Sequence, residues 1–494
     1  MKYISSIINI GNVALGGNNP VRVQSMTTTN TLDTDATVKQ VISLALAGCD
    51  FVRITSQNIK EAKNLKNIVN ELKRKGIDIP LIADVHYNPK VAEVAAQFVN
   101  KVRINPGNYI NNNKVYSVYS RESDNDELTQ MEKNLIPLLD ICSKFGTAIR
   151  IGVNHGSLSK RMLYKHGNTA LGMVESIMEF ITICQKNNFK NLVLSLKASN
   201  VVAMINANIL LVERLKELGL SYPIHLGVTE AGSDDEGRIK SAAGIGYLLS
   251  RGIGDTIRVS LAEDPLAEVP VALKLVKLFG HRKEQIVKKH CIIPISKSAF
   301  NVKSPVVVTK GISTLSDLAM DKYEESKQLP NDKTFLIGKL SYDGLSYDDL
   351  VINSTVESTI LLLENKVDGL WIENTGISSS DTIAELSLGI LQVLGLRITT
   401  TEYIACPTCG RTSINVIEQL RKVKLQTSHF PGLKIAVMGC AVNGPGEMAD
   451  AHYGFVGSGK GMVNIYKGSD IVMRNVQPEK AVELLVDLIK ENEG

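Results

Sequence analysis

Residues 147–154, TAIRIGVN, decide the fold. Ile149, Ile151 and Val153 share one parity; Arg150, Gly152 and Asn154 share the other, and side chains alternate across a strand. A strand that is apolar on one face and cationic or small on the other lies between a helical layer and a polar interior. The same kind of segment recurs as VRVQSM (21–26), DFVRIT (50–55), PLIADV (80–85), VNKVRIN (99–105), NLVLSLK (191–197), YPIHLGV (222–228) and DTIRVSL (255–261). Helical patterns fall between them at 33–47, 59–75, 170–187 and 200–219. Eight strands alternating with helices predict a parallel (β/α)8 TIM barrel. An open doubly wound sheet is the alternative, but no glycine-rich dinucleotide fingerprint follows the first strand.

The parity carries chemistry as well. Arg53, Arg103, Arg150, Lys197 and Arg258 all fall on the polar face near the carboxyl ends of their strands, where barrel enzymes build their sites. Two carboxylates on that face, Asp84 and Glu230, do not offset five cations, and buried cations need partners. A ligand carrying phosphate groups would supply the missing charge. Asp84, His86, Asn105, Asn154, His155 and Glu230 complete a polar rim suited to hydroxyl recognition and proton transfer.

At 494 residues the chain predicts two or three domains. A net charge of +4 with no long basic tract points away from nucleic acid and toward a local site for a small anion. No stretch of about 20 apolar residues predicts a membrane span, and the interrupted apolar run at the N-terminus lacks a signal-peptide core. A cytoplasmic protein is expected, with its seven cysteines serving as thiols or metal ligands rather than disulfides.

Three of those cysteines are grouped: YIACPTCG (403–410) holds Cys406 and Cys409, and MGCAVNGPGE (438–447) holds Cys440. Three thiolates without a fourth fit a 4Fe–4S cluster with one iron left for an oxygen ligand, and Glu447 lies just past the Gly-Pro-Gly turn. A structural zinc site completed by His429 or His452 stays open on spacing alone. Cys49, Cys142, Cys184 and Cys291 stand singly in apolar surroundings and read as core.

These motifs resemble the 4-hydroxy-3-methylbut-2-enyl diphosphate synthase family. The resemblance runs through VRVQSMTTTNTLDTDATVKQV, VRINPGN, RIGVNHGSLS, SLKASN, HLGVTEAG, GIGDTIRVSL, TEYIACPTCGRTSINV and MGCAVNGPGEMADAHYGFVG, covering nearly all of 1–279 and 399–494. It implies a barrel that binds 2-C-methyl-D-erythritol 2,4-cyclodiphosphate and a C-terminal α/β domain whose 4Fe–4S cluster is held by Cys406, Cys409, Cys440 and Glu447. It also implies that Arg53, Arg103, Arg150, Lys197 and Arg258, with Asn154, Ser199 and Ser260, bind the diphosphate, and that Glu230 donates a proton. The implied working unit is a homodimer, with the cluster domain of one subunit closing over the barrel of the other. The implied reaction is reductive and consumes two electrons from ferredoxin or flavodoxin, the three-domain type leaning toward ferredoxin.

The division expected is 1–279 barrel, 280–398 insert and 399–494 cluster domain. The insert has strand patterns at 305–309, 334–339 and 368–373 and a helical pattern at 380–394. Eight strand–helix units of roughly 30 residues do not fit there, so a reduced α/β spacer is expected. HRKEQIVKKH (281–290) reads as a solvated linker helix and the Asn-rich 106–125 as a surface loop near the barrel mouth.

Overall fold

The computed structural model describes residues 3–109, 121–279, 290–296, 305–309, 318–319, 334–376, 379–442, 444–459 and 461–493. The HRKEQIVKKH linker lies outside them except for His290, and so does most of the 106–125 segment. The described ends of that segment are helical: Pro106–Tyr109 is one turn, and Arg121 opens a helix that runs to Phe145.

Eight parallel strands form the barrel: Arg22–Met26, Phe51–Thr55, Leu81–Asp84, Lys101–Ile104, Ala148–Asn154, Leu192–Lys197, His225–Leu226 and Thr256–Ile257. They pair in chain order, and the eighth pairs with the first. A parallel bridge between Leu194 and Ile224 closes the ring between the sixth and seventh. The helices start where capping residues stop the preceding loops. Asp33, Asn58, Thr169 and Asn200 each accept a backbone N–H of the first turn. The outward parity of the strands (Val52, Ile54, Val102, Ile149, Ile151, Leu194 and their equivalents) is fully buried beneath those helices.

The lumen has a dry floor and a polar mouth. A short N-terminal hairpin, Ile8–Ile10 with Val13–Leu15, packs on Phe51, Ile82, Ala148 and Val193 at the amino ends of the strands. That plug leaves the carboxyl end as the open one.

The insert is a five-stranded sheet in the order His290–Ser296, Thr334–Asp343, Gly369–Thr375, Val306–Thr309 and Leu318–Ala319, with only the first pair antiparallel. The helix Ser380–Val393 agrees with the pattern in the sequence, and a second helix, Tyr347–Leu363, adds to it. Tyr347–Leu363 docks on the barrel at a π-turn, Ala242–Gly246, where any side chain on Gly246 would meet Val356 Cγ2 at 2.4 Å. Cys291 is exposed on the insert's first strand, not buried as expected; Cys49, Cys142 and Cys184 are core.

The C-terminal sheet runs Glu402–Ala405, Lys434–Met438, Tyr453–Gly459, Met462–Lys467 and Asp470–Val476, the first three parallel and the last two antiparallel. Val416–Thr427 and Pro478–Glu493 cover one face.

Candidate active site

The carboxyl end of the barrel faces the loops of the C-terminal domain across a cavity of about 710 Å³, its opening included. Barrel residues lining it include Arg53, Asp84, Arg103, Arg150, Asn154, Lys197, Glu230, Arg258 and Ser260; the other wall carries Cys406, Cys409, Cys440 and Arg411. Strand parity thus brings five cations from five strands to one place.

Their partners are few. Arg258 is held by Glu268, Nη2 to Oε1 at 2.9 Å and Nε to Oε2 at 3.2 Å. Arg103 donates to Asp84 Oδ1 at 3.2 Å and to the Gly152 carbonyl at 3.0 Å. Among the described residues the Arg53 guanidinium donates only to the Met26 thioether, at 2.9 and 3.1 Å, and burial lowers its pKa to about 10. Arg150 has Nε and Nη1 buried with no partner among the described residues. Burial, reinforced by the surrounding guanidiniums, drives the Lys197 ammonium well below its usual range. No ion pair to a carboxylate forms at Arg53, Arg150 or Lys197 among the described residues. Gly152 leaves a notch between them, because a Cβ there would sit 2.9 Å from Arg103 Nε and 3.0 Å from Ser195 Oγ. The mouth thus presents a set of preplaced cationic donors, an arrangement chemically suited to an anion.

His86 stays neutral, its pKa lowered to about 3 by burial and the nearby guanidiniums, and its Nε2 lies 2.6 Å from Arg103 Nη1. Asn105 stands apart from the cavity lining. Its amide is taken up by Ser157 Oγ at 2.9 Å and the Gly107 N–H at 3.1 Å, so it supports the loop after the fourth strand. His155 is likewise engaged elsewhere, with Asp450 at 3.2 Å.

Glu230 is buried and has a left-handed φ of +48°, a strained conformation for a non-glycine residue. Its carbonyl accepts from the Ala405 N–H at 3.2 Å, which sets it beside the Cys406 loop. Thr408, inside that loop, is strained too, with φ +36°. Burial holds the Glu230 carboxyl above its ordinary range. Glu447 is raised further, first by burial and then by the Glu230 charge, and it is hydrogen-bonded to both Glu230 and Ser199.

None of the three thiols is in a disulfide, all three are half-buried, and the Gly439 N–H donates to Cys406 Sγ at 3.2 Å. Among the described residues no three His, Cys, Asp or Glu side chains stand at the separation for one metal ion. Neither histidine of the zinc alternative reaches the cavity: His429 stacks on Phe430, and His452 Nδ1 accepts from the Lys434 N–H. Three soft sulfur donors with a backbone N–H aimed at one of them fit an iron–sulfur cluster.

A profile described as the GcpE TIM-barrel domain matches residues 5–273, and one described as the GcpE protein C-terminal domain matches 402–491. The chain belongs to the GcpE family. It is 38% identical to the 4-hydroxy-3-methylbut-2-en-1-yl diphosphate synthase (flavodoxin) of Phocaeicola vulgatus, covering 99% of this chain and 97% of that one. The Porphyromonas gingivalis enzyme of the same name is 38% identical, with 99% and 97% covered, and that of Protochlamydia amoebophila 34%, with 98% and 95%. As a GcpE-family enzyme the chain is an oxidoreductase of isoprenoid biosynthesis. The resemblance stated from its motifs therefore holds.

Two residues that contact the mouth cations or Asp84 are not reached by the sequence reading. Glu268 lies on the helix Pro265–Leu278, beyond the reach of strand parity. Arg411 lies on the C-terminal domain, two residues past Cys409, and only the docking of that domain brings it to Asp84. The resemblance implies closure by the domain of a partner subunit; here the C-terminal domain lies over the barrel of its own chain.

Proposed function

We propose that this enzyme converts 2-C-methyl-D-erythritol 2,4-cyclodiphosphate to (E)-4-hydroxy-3-methylbut-2-enyl diphosphate. The observation that carries the reading is one cavity lined by six cations, three cysteines and Glu230. In the reaction the ring C–O bond to the diphosphate breaks and a hydroxyl leaves as water after accepting a proton. Two electrons arrive from an external carrier.

Arg53, Arg103, Arg150, Lys197 and Arg258 bind the diphosphate, with Asn154, Ser199 and Ser260 beside them, and Asp84 orients Arg103 and Arg411. Glu230 supplies the proton to the departing hydroxyl; its buried Oε2 has no hydrogen-bond partner among the described residues. Cys406, Cys409 and Cys440 would hold a 4Fe–4S cluster, with Glu447 as an exchangeable fourth ligand. When bound, that cluster supplies single electrons to the substrate. The C-terminal loops across the mouth limit water's access to the reacting centre.

The carrier proposed is flavodoxin, after the printed names of the relatives, in place of the ferredoxin toward which the sequence type leans. The division 1–279, 280–398 and 399–494 is proposed as barrel, insert and cluster domain. We place the enzyme in the cytoplasm and take its assembly as a homodimer, each barrel closed by its own cluster domain.

Iron, acid-labile sulfide and zinc in anaerobically purified protein test the cofactor. About four irons and four sulfides per chain support the reading. One zinc without sulfide overturns it.

A further inference from the structure

Arg411 belongs to the cluster domain, yet its side chain is 7% exposed and ends inside the barrel mouth. Nη1 donates to Asp84 Oδ2 at 3.0 Å and Nη2 to the Asp84 carbonyl at 2.8 Å. The other oxygen of the same carboxylate, Oδ1, accepts from Arg103 at 3.2 Å. One buried carboxylate therefore bridges a cation of the barrel and a cation of the domain that covers it. Other contacts across the junction are ordinary: Tyr87 Oη to the Val442 carbonyl at 3.1 Å, Lys240 Nζ to the Tyr403 carbonyl at 2.9 Å, and Lys424 Nζ to Ser233 Oγ at 3.1 Å. Among the described residues that line the cavity, Arg411 is the one cation the cluster domain supplies.

Bringing that cation into the mouth has a condition attached. The barrel already concentrates five positive side chains there, and Asp84 is shared with Arg103. An anion on the barrel cations removes the repulsion and leaves Asp84 to balance Arg411. We propose that Arg411 is a positioning residue that couples closure of the cluster domain to occupancy of the anion site, with Asp84 as the relay. The ligand class is a molecule carrying a diphosphate group. The inference rests on reading the mouth as a diphosphate site and adds the device that senses its filling.

The test uses the full-length protein as purified anaerobically and inorganic pyrophosphate as the probe. Calorimetry reads binding, and hydrogen exchange of residues 402–416 reads closure. In the wild type, pyrophosphate slows exchange there by at least roughly tenfold. Arg411→Ala abolishes the slowing and weakens pyrophosphate binding by the same factor, since coupling is reciprocal; Arg411→Lys retains part of both. Asp84→Asn, which leaves the cluster domain unaltered, loses the slowing as well. Equal slowing in Arg411→Ala and wild type overturns the proposal, as does binding in the wild type without any slowing. Failure of pyrophosphate to bind at all overturns the anion site and the coupling together.

Discussion

At Glu230 the backbone holds a left-handed φ of +48° and the carboxyl is buried, two costs that the surrounding cations offset only in part, since the carboxyl stays above its ordinary range. Glu230→Gln keeps the shape and removes the proton. Turnover is expected to fall by roughly a hundredfold or more, with pyrophosphate binding unchanged, as steady-state kinetics and calorimetry will show. Unchanged turnover would remove the assignment. At this scale much was legible beforehand, because strand parity is a geometric rule: Arg53, Arg103, Arg150, Lys197 and Arg258 follow from alternation alone. Asn105 obeys the same rule and yet serves its own loop, since parity gives direction and not partners. Glu268 and Arg411 sit on a helix and on a separate domain, where alternation says nothing.

Among elements, the loops around Gly156 and Gly446 meet backbone to backbone. A Cβ on Gly446 would lie 1.7 Å from the Gly156 carbonyl oxygen, so these glycines are there for close approach. Gly446→Ala should hold the cluster domain off the barrel, lowering turnover roughly a hundredfold while the barrel still binds pyrophosphate. Wild-type turnover in that variant would show the contact to be dispensable. In the insert, the helix Tyr347–Leu363 carries Glu357, whose burial lifts its pKa from 4.5 to about 7, opposed by the Tyr342 hydroxyl. The folded state therefore keeps a proton that the unfolded state releases. Stability from this group is full below pH 4.5 and is lost as pH rises through about 7, by at most about 1.4 kcal/mol per pH unit. Melting temperatures across that window should fall in the wild type and stay flatter in Glu357→Gln. The barrel strands and helices were readable because each pairs an apolar face with a cap or turn. The π-turn Ala242–Gly246 and the helix Tyr347–Leu363 were not, since their form depends on packing against each other.

The whole molecule works by setting one domain on another, and no local pattern encodes that placement. His155, from the loop after the fifth strand, meets Asp450 of the cluster domain at 3.2 Å, and its other nitrogen faces the Asn168 carbonyl at 3.0 Å. Two acceptors favour the imidazolium, and Asp450 raises its pKa above 6.5. This contribution to closure is complete below 6.5 and lost as pH climbs through the raised value, so the protection of residues 402–416, measured against their intrinsic exchange rates, should fall on the alkaline side in wild type and lose that dependence in His155→Gln. The insert fixes its own helix to the barrel flank, with Tyr347 Oη 2.5 Å from Asp235 and Lys274 Nζ 3.0 Å from Asp349, and so sets where the cluster domain begins. The measurement that bears most directly on the whole account is anaerobic product analysis after mixing the iron-loaded enzyme, reduced flavodoxin and 2-C-methyl-D-erythritol 2,4-cyclodiphosphate. The expected product is the linear hydroxybutenyl diphosphate, with two electrons drawn from the carrier for each molecule formed; an iron-loaded enzyme that binds the cyclodiphosphate and leaves it unchanged would overturn the proposed reaction.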